Sequence, residues 1–183
     1  MDKLKTYLVG SIQDEADGGV DWREKVGVQL TELGFEVQDP TKAECNNSLA
    51  NNIEDQKKKL ENLKRGGAWD KYDEVMGNIR QSDLVCVNNS KFLVVSYDPS
   101  KRIGGTVHEI VEAWGKGIPI YTVSYSAIMD FNDWILSLLR DNFNAGGMIF
   151  PNFKQCVEHI EKEYKDYIKE IKDANNSKSD KVS

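Results

Sequence analysis

Three cysteines and two histidines in 183 residues leave this chain short of the groups on which disulfide-rich and metal-bound folds depend. Cys45, Cys86 and Cys156 are widely separated and form no CxxC pair, which argues against a zinc knuckle or disulfide framework and predicts buried thiols. His108 and His159 are too few and too far apart for a multi-histidine centre, so no metal is expected. No apolar run approaches the roughly 18 residues that cross a bilayer. The N-terminal stretch MDKLKTYLVGSIQDE turns acidic where a secretory leader would stay apolar, so a cytoplasmic protein without a membrane partner is expected. Cationic excess is missing too. Lys and Arg total 24 against 30 Asp and Glu, a net charge of -6 that disfavours a nucleic-acid polymer.

What is present is enough apolar material for one core: 39% hydrophobic and 30% charged residues, over a length that fits one domain at roughly 150 residues each. LKTYLV (4–9) reads as a buried strand ending at Gly10-Ser11. After the acidic loop DEADGG, Asp21 is placed to cap a helix carrying Trp22, Val26, Leu30 and Leu33, which Gly34 ends. Phe35 to Val37 makes a second strand before Asp39-Pro40. Residues 41–68 are polar, then strongly charged and helical (IEDQKKKLENLKRGG), and read as an inserted arm or lid whose lysines 57–59 face water.

Between Trp69 and Asp98 periodicity leaves DLVCVN open as a strand or a helix end. FLVVSYD is apolar throughout, as a central parallel strand should be. A helix over Thr106–Lys116, a strand IPIYTV, a helix over Asp130–Arg140, a short strand GGMIF and one long terminal helix through Ile171 complete the pattern. Strands alternating with helices specify an α/β sandwich with a mainly parallel sheet. One domain over 1–172 and a frayed, flexible tail at 173–183 are expected.

In such a sheet, ligands bind beyond the carboxyl ends of the strands. The residues expected there are Gly10, Ser11 and Ile12, then Asp39, Asp98, and the run Gly104, Gly105, Thr106 to Glu109. The first turn, GSIQDEADGG, lacks the GxGxxG dinucleotide fingerprint, and neither a P-loop nor a GxSxG elbow occurs. No cofactor is expected. Thr106 and Glu109 have the S/T-x-x-E spacing of a capping box, worth about 1 kcal/mol to a helix start. Their place at the ligand-binding edge opens a second, catalytic reading.

TYLVGSI, DWREKVGVQLTELGFEVQDP, IRQSDLVCVNNSKFLVVSYD and YDPSKRIGGTVHEIVEAWGKGIPIY together resemble the nucleoside 2-deoxyribosyltransferase family, including its phage-type members and the deoxynucleotide N-hydrolases. The resemblance covers most of residues 5 to 124 and favours helix, then strand, in the ambiguous stretch. It implies a flavodoxin-like or Rossmann-like three-layer sandwich with a five-stranded, mainly parallel sheet, to which this chain adds its charged helical insert. It also implies transfer of a deoxyribosyl group between nucleobases, with Glu109 as nucleophile, Tyr7 orienting it, Asp83 protonating the base and Asp98 holding the sugar.

The family also uses an Asn or other group from a neighbouring subunit, which would be Asn142 or Asn144 in a homo-oligomer. Family members often carry another acid just before the nucleophile, where this chain has Arg102 and Ile103. Ser11 and Arg102 would suit a 5′-phosphate, as in the nucleotide hydrolases. The GGT-x-x-E string is also similar to that of cytokinin-activating phosphoribohydrolases, whose longer glycine pattern is incomplete here. The expected partners are a 2′-deoxynucleoside or deoxynucleotide and a free nucleobase. Without the resemblance, Tyr7 reads as a core aromatic, Asp83 as a solvated helix residue and Asp98 as a turn former before Pro99. Hydrolysis of the N-glycosidic bond and a catalytically silent nucleotide sensor are the competing functions.

Overall fold

A computed structural model describes residues 2–42 and 53–179. Five strands, β1 (Lys5–Gly10), β2 (Glu36–Gln38), β3 (Phe92–Ser96), β4 (Ile120–Val123) and β5 (Met148–Phe150), form one sheet in the order β2-β1-β3-β4-β5. Every pairing is parallel. The helices are α1 (Val20–Glu32), α2 (Ile53–Arg65), α3 (Trp69–Asn89), α4 (Gly104–Gly115), α5 (Asp133–Asp141), α6 (Phe153–Glu163) and α7 (Lys165–Ser179). The strand order is the flavodoxin-like one, with its switch between β1 and β3.

Helices cover both faces, so the strands are apolar at consecutive positions, and the alternation of side chains divides them between two cores. Tyr7, Val9, Leu93, Val95 and Ile120 pack with Cys86, Val87, Ile110 and Leu139 on the α3, α4 and α5 side. Leu8, Phe92, Val94, Tyr121 and Val123 pack with Val26, Leu30, Cys156 and Ile160 on the α1 and α6 side. Burial pushes the Cys156 thiol up to about 12, as suits an inert core cysteine. Cys45 lies outside the described residues.

Several element ends differ from the sequence expectation for local reasons. Asp17, not Asp21, serves the start of α1: its carboxylate accepts from the Gly19 and Asp21 amides at 2.9 and 2.8 Å, and Asp21 lies inside the helix. At the other end, Gly34 adopts φ of 100°, the left-handed conformation that lets the chain leave α1 for β2. The ambiguous DLVCVN segment is the end of α3. The Asp130–Arg140 helix is a short 3-10 turn (Ile128–Asp130) followed by α5, whose Asn132 cap accepts from the amides of Trp134 and Ile135.

The expected single terminal helix breaks at Tyr164. Its ring packs on Phe35 and Phe92, and Tyr167 in α7 donates its hydroxyl to the Gly34 carbonyl, so the chain bends to reach β1 and the end of α1. α7 continues to Ser179, beyond the point where a tail was expected. Within the insert, Lys57 does not simply face water: its ammonium donates to the Glu15 carbonyl at 3.0 Å and ties α2 to the β1–α1 loop.

Periodicity gave no sign of Arg23, which sits with 0% exposure on the buried face of α1. Its guanidinium donates to the carbonyls of Leu8, Gly10, Gly18 and Gly19, stacks against Trp22, and faces Asp39 at 3.9 Å. It thus fixes the carboxyl end of β1 and the loop that follows. Gly19 has φ of 73°, and a Cβ there would lie 2.4 Å from the guanidinium, so glycine is required. Replacing Arg23 with Leu leaves those carbonyls and the Asp39 carboxylate without their cation. The expected loss is about 3–5 kcal/mol of folding stability, measured by urea denaturation; a loss under about 1 kcal/mol would contradict this role.

Candidate active site

α4 begins at Gly104, three residues earlier than a capping box with Thr106 as its cap would start it, with Ile103 at the cap position and no side-chain cap. The box is therefore not formed. Thr106 lies in the first turn, and the buried face of α4 consists of Thr106, Glu109, Ile110 and Ala113, at helical spacings of three, one and three. An acid has been placed where periodicity calls for an apolar residue. Glu109 is only 8% exposed, and its carboxylate turns toward the sheet.

There it meets Tyr7, from the middle of β1. The Tyr7 hydroxyl lies 3.1 Å from Glu109 Oε1 and 3.0 Å from Asp83 Oδ1. Asp83 comes from the last turns of α3, half-buried, one turn before the core residues Cys86 and Val87. Sheet, α3 and α4 thus bring three of the residues singled out from the sequence onto one hydroxyl. Asp83 and Glu109 line a cleft of about 430 Å³ between α3 and α4, whose α4 wall is Gly104 and Gly105 and whose α3 wall includes Met76, Ile79 and Leu84. The two glycines carry no side chain into this space.

Burial governs the electrostatics. It pushes Glu109 up to about 8, with the neighbouring Asp83 charge adding to the effect, while the Tyr7 hydrogen bond and Arg23 oppose it. Asp83 is raised to about 6, again by burial and against the same two groups. Burial, then the two carboxylates, hold the Tyr7 phenol well above its ordinary range, so it stays neutral. The pair accordingly keeps one proton through neutral pH. Such a site offers one ionised carboxylate and one carboxylic acid in a cleft, the equipment for displacement at an acetal-like carbon with protonation of the leaving group.

The other candidate residues are distributed differently. Gly10 ends β1, and its carbonyl accepts from Arg23. Ser11 is buried and its hydroxyl accepts from the Asp14 amide at 3.4 Å; Ile12 beside it is half-buried. Asp39 is buried, and its Oδ1 accepts from the Thr41 amide and hydroxyl and faces Arg23, while its Oδ2 has no hydrogen-bond partner among the described residues. Asp98 is the turn former: it accepts from the Ser100 amide and hydroxyl, pairs with Lys101, and lines a separate cleft on the α1 side of the sheet. It does not join Glu109.

Asn142 is a correction. It is 2% exposed, its side chain accepts from the Ile120 amide and donates to the Ile118 carbonyl at the opposite edge of the sheet, and it is unavailable to a substrate or a neighbouring subunit. Asn144 is exposed beside it. Arg102 is gripped through its guanidinium and main-chain amide by Asp14, and Lys101 pairs with Glu15, so the loop after β1 and the loop after β3 are clasped together. Among the described residues no cluster of histidine, cysteine and acidic groups could hold a metal ion, and no helix is long and apolar enough to cross a membrane.

No protein-family model matches the chain, and no curated protein matches it. Among solved structures it is similar to one described as a conserved protein from Enterococcus faecalis V583, at 18% identity and a TM-score of 0.59, over 88% of this chain and 99% of that one. That likeness supports the α/β fold with its five-stranded parallel sheet.

Both carboxyls are raised by folding, so the folded chain binds more protons than the unfolded chain from the ordinary carboxylate range up to about pH 8. Their contribution to stability is intact at low pH and falls as pH rises through about 6 and 8. Glu109→Gln removes the larger part of this burden. Urea midpoints should show the variant close to wild type at about pH 4 and more stable by roughly 3 kcal/mol above pH 8. A difference that does not change with pH would contradict the buried, proton-holding carboxyl.

Proposed function

We propose that the protein transfers a 2-deoxyribosyl group between nucleobases through a covalent intermediate on Glu109. The observation that carries this reading is a pair of carboxyls, Glu109 buried and Asp83 half-buried, that share one phenol and line a cleft between α3 and α4. Asp83 protonates a nitrogen of the departing base, and the C–N electron pair leaves with it. Glu109 attacks the anomeric carbon from the other face, stabilising the oxocarbenium-like state and then bonding to it. The acceptor base reverses these steps, giving up its N–H proton to Asp83. Two inversions at the anomeric carbon return the β configuration. A 2′-hydroxyl would destabilise the adjacent positive charge, so deoxyribosides are the favoured class.

Hydrolysis uses the same residues, with water replacing the second base, and an acceptor seated where the first base left disfavours it. With Arg102 and Lys101 committed to Asp14 and Glu15, neither cation of the β3–α4 loop is left for a 5′-phosphate, which favours the nucleoside over its monophosphate. Arg80, one turn before Asp83, is the arginine that lines the cleft. The proposal includes a homo-oligomer in a cytoplasmic setting. Its supporting observation is the exposure of two large aromatics, Trp114 on α4 and Trp134 on α5.

Incubation with the four deoxynucleosides and their monophosphates, with and without a free base, tests the reading by chromatography and proton NMR. Transfer should exceed hydrolysis when acceptor is present, with a β-nucleoside product. Free deoxyribose as the sole product at saturating acceptor would select the hydrolase, an α-nucleoside would defeat double displacement, and saturable binding without base release would select a sensor.

Two substitutions assign the roles. Glu109→Gln should abolish base release while the chain stays folded; activity near wild type would remove Glu109 as nucleophile. Asp83→Asn should slow base departure by about 10²–10⁴-fold for poor leaving groups, and less as the leaving group improves. A defect independent of the leaving group would remove Asp83 as the acid.

A further inference from the structure

The mechanism asks for a proton on Asp83 and none on Glu109, whereas burial favours the opposite. Glu109 is the more enclosed of the two, and the pair holds a single proton at neutral pH. We propose that the Tyr7 hydroxyl, within hydrogen-bond distance of both carboxyls, is a proton relay that converts the resting arrangement into the reactive one. This rests on the transferase reading above and assigns Tyr7 a part beyond orienting the nucleophile.

Stereochemistry at the hydroxyl carries the inference. A phenol has one proton to donate and lone pairs with which to accept, so it cannot donate to Asp83 and Glu109 at once. With both acids ionised, one of the two contacts is no hydrogen bond, and two like charges lie close together. With one proton between them, both contacts are complete in either of two arrangements. In the first, the Glu109 acid donates to Tyr7 and Tyr7 donates to the Asp83 carboxylate. In the second, the direction is reversed.

The two interconvert when the Glu109 proton passes to the Tyr7 oxygen and the Tyr7 proton passes to Asp83 Oδ1, with no heavy atom moving. For delivery, the Asp83 O–H turns from Tyr7 toward the cleft and donates to the base nitrogen, while Tyr7 keeps its own proton on the Glu109 carboxylate; a base that accepts in this way draws the pair out of the first arrangement. Asp83 then loses its proton to the departing base and regains one from the acceptor, after which the chain can return to its resting direction. The protons balance over the cycle. The groups facing the hydroxyl are Asp83 and Cys86 on α3 and Glu109 on α4, with the Arg23 charge acting from α1; Asp73, Arg80 and His108 line the cleft beyond.

Tyr7→Phe keeps the ring and removes the relay. Wild type and variant are compared on 2′-deoxyguanosine and on its N7-methylated cation, whose base departs without a proton. On deoxyguanosine the variant should lose about 100-fold or more. On the methylated substrate, with the two proteins compared at the same pH so that the substrate's own titration cancels, the variant's deficit should be smallest at alkaline pH, where solvent ionises Glu109, and widen as pH falls. Equal losses on both substrates at every pH would overturn the relay and leave Tyr7 an orienting residue.

Base release by wild type from no deoxynucleoside would overturn the transferase reading and the relay with it. Circular dichroism reports folding of the variant. For a variant that does not fold, or an enzyme confined to pyrimidines, the proton inventory of wild type on its best substrate decides. A curved dependence on deuterium fraction, from several protons in flight, supports the relay, and a straight line overturns it.

Discussion

One phenolic hydroxyl in the middle of the sheet joins two acids that folding would otherwise keep apart. Tyr7 is held without exposure in β1, between β2 and β3, so its position is set by the register of the parallel ladder. Asp83 and Glu109 reach it from different helices, and each is raised out of its ordinary range because the surrounding layer is apolar. The site therefore depends on a constraint that opposes stability: a buried carboxyl and a half-buried one against the same apolar layer, bridged by one phenol.

A second buried polar group works on the other face of the same strand. Arg23 gathers carbonyls from the end of β1 and from the loop after it, and balances Asp39. Its positive charge also opposes the rise in both acids, Asp83 and Glu109, from across β1. The clasp of Asp14 with Arg102 and Glu15 with Lys101 joins the loops after β1 and β3, and Lys57 of α2 bonds to the first of them. The switch point between these strands is thus secured by polar contacts, and a cleft lies on each side of the sheet, one against α1 and one between α3 and α4.

The five strands were legible because a sheet covered on both faces writes itself as short, continuous apolar runs such as FLVVS and IYTV. The helices were legible where their apolar spacing was regular, and less so where packing against aromatics decided the boundary, as at Tyr164. Glu109 could be found from its GGTVHE context, but spacing alone offered a capping box. The start of α4 at Gly104 turned the side chain inward instead, which local spacing does not encode. Arg23 was missed because a charged residue within an amphipathic helix normally signals the solvent face; the glycines at 18 and 19, whose carbonyls it binds, were the available hint. Asn142 was misjudged in the same way, since the groups that occupy it, Ile118 and Ile120, become visible only as contacts, whereas the turn at Asp98 was legible from the proline that follows it.

The central claim is a glycosyl ester on a buried glutamate, and trapping that ester tests it most directly. Wild-type protein is mixed with a deoxynucleoside in the absence of acceptor, quenched with acid, and measured by intact-protein and peptide mass spectrometry. The account predicts a mass increase of one deoxyribosyl residue, located on Glu109, formed within the first turnover and discharged when a free base is added. Turnover without an adduct, or an adduct on another residue, would contradict it.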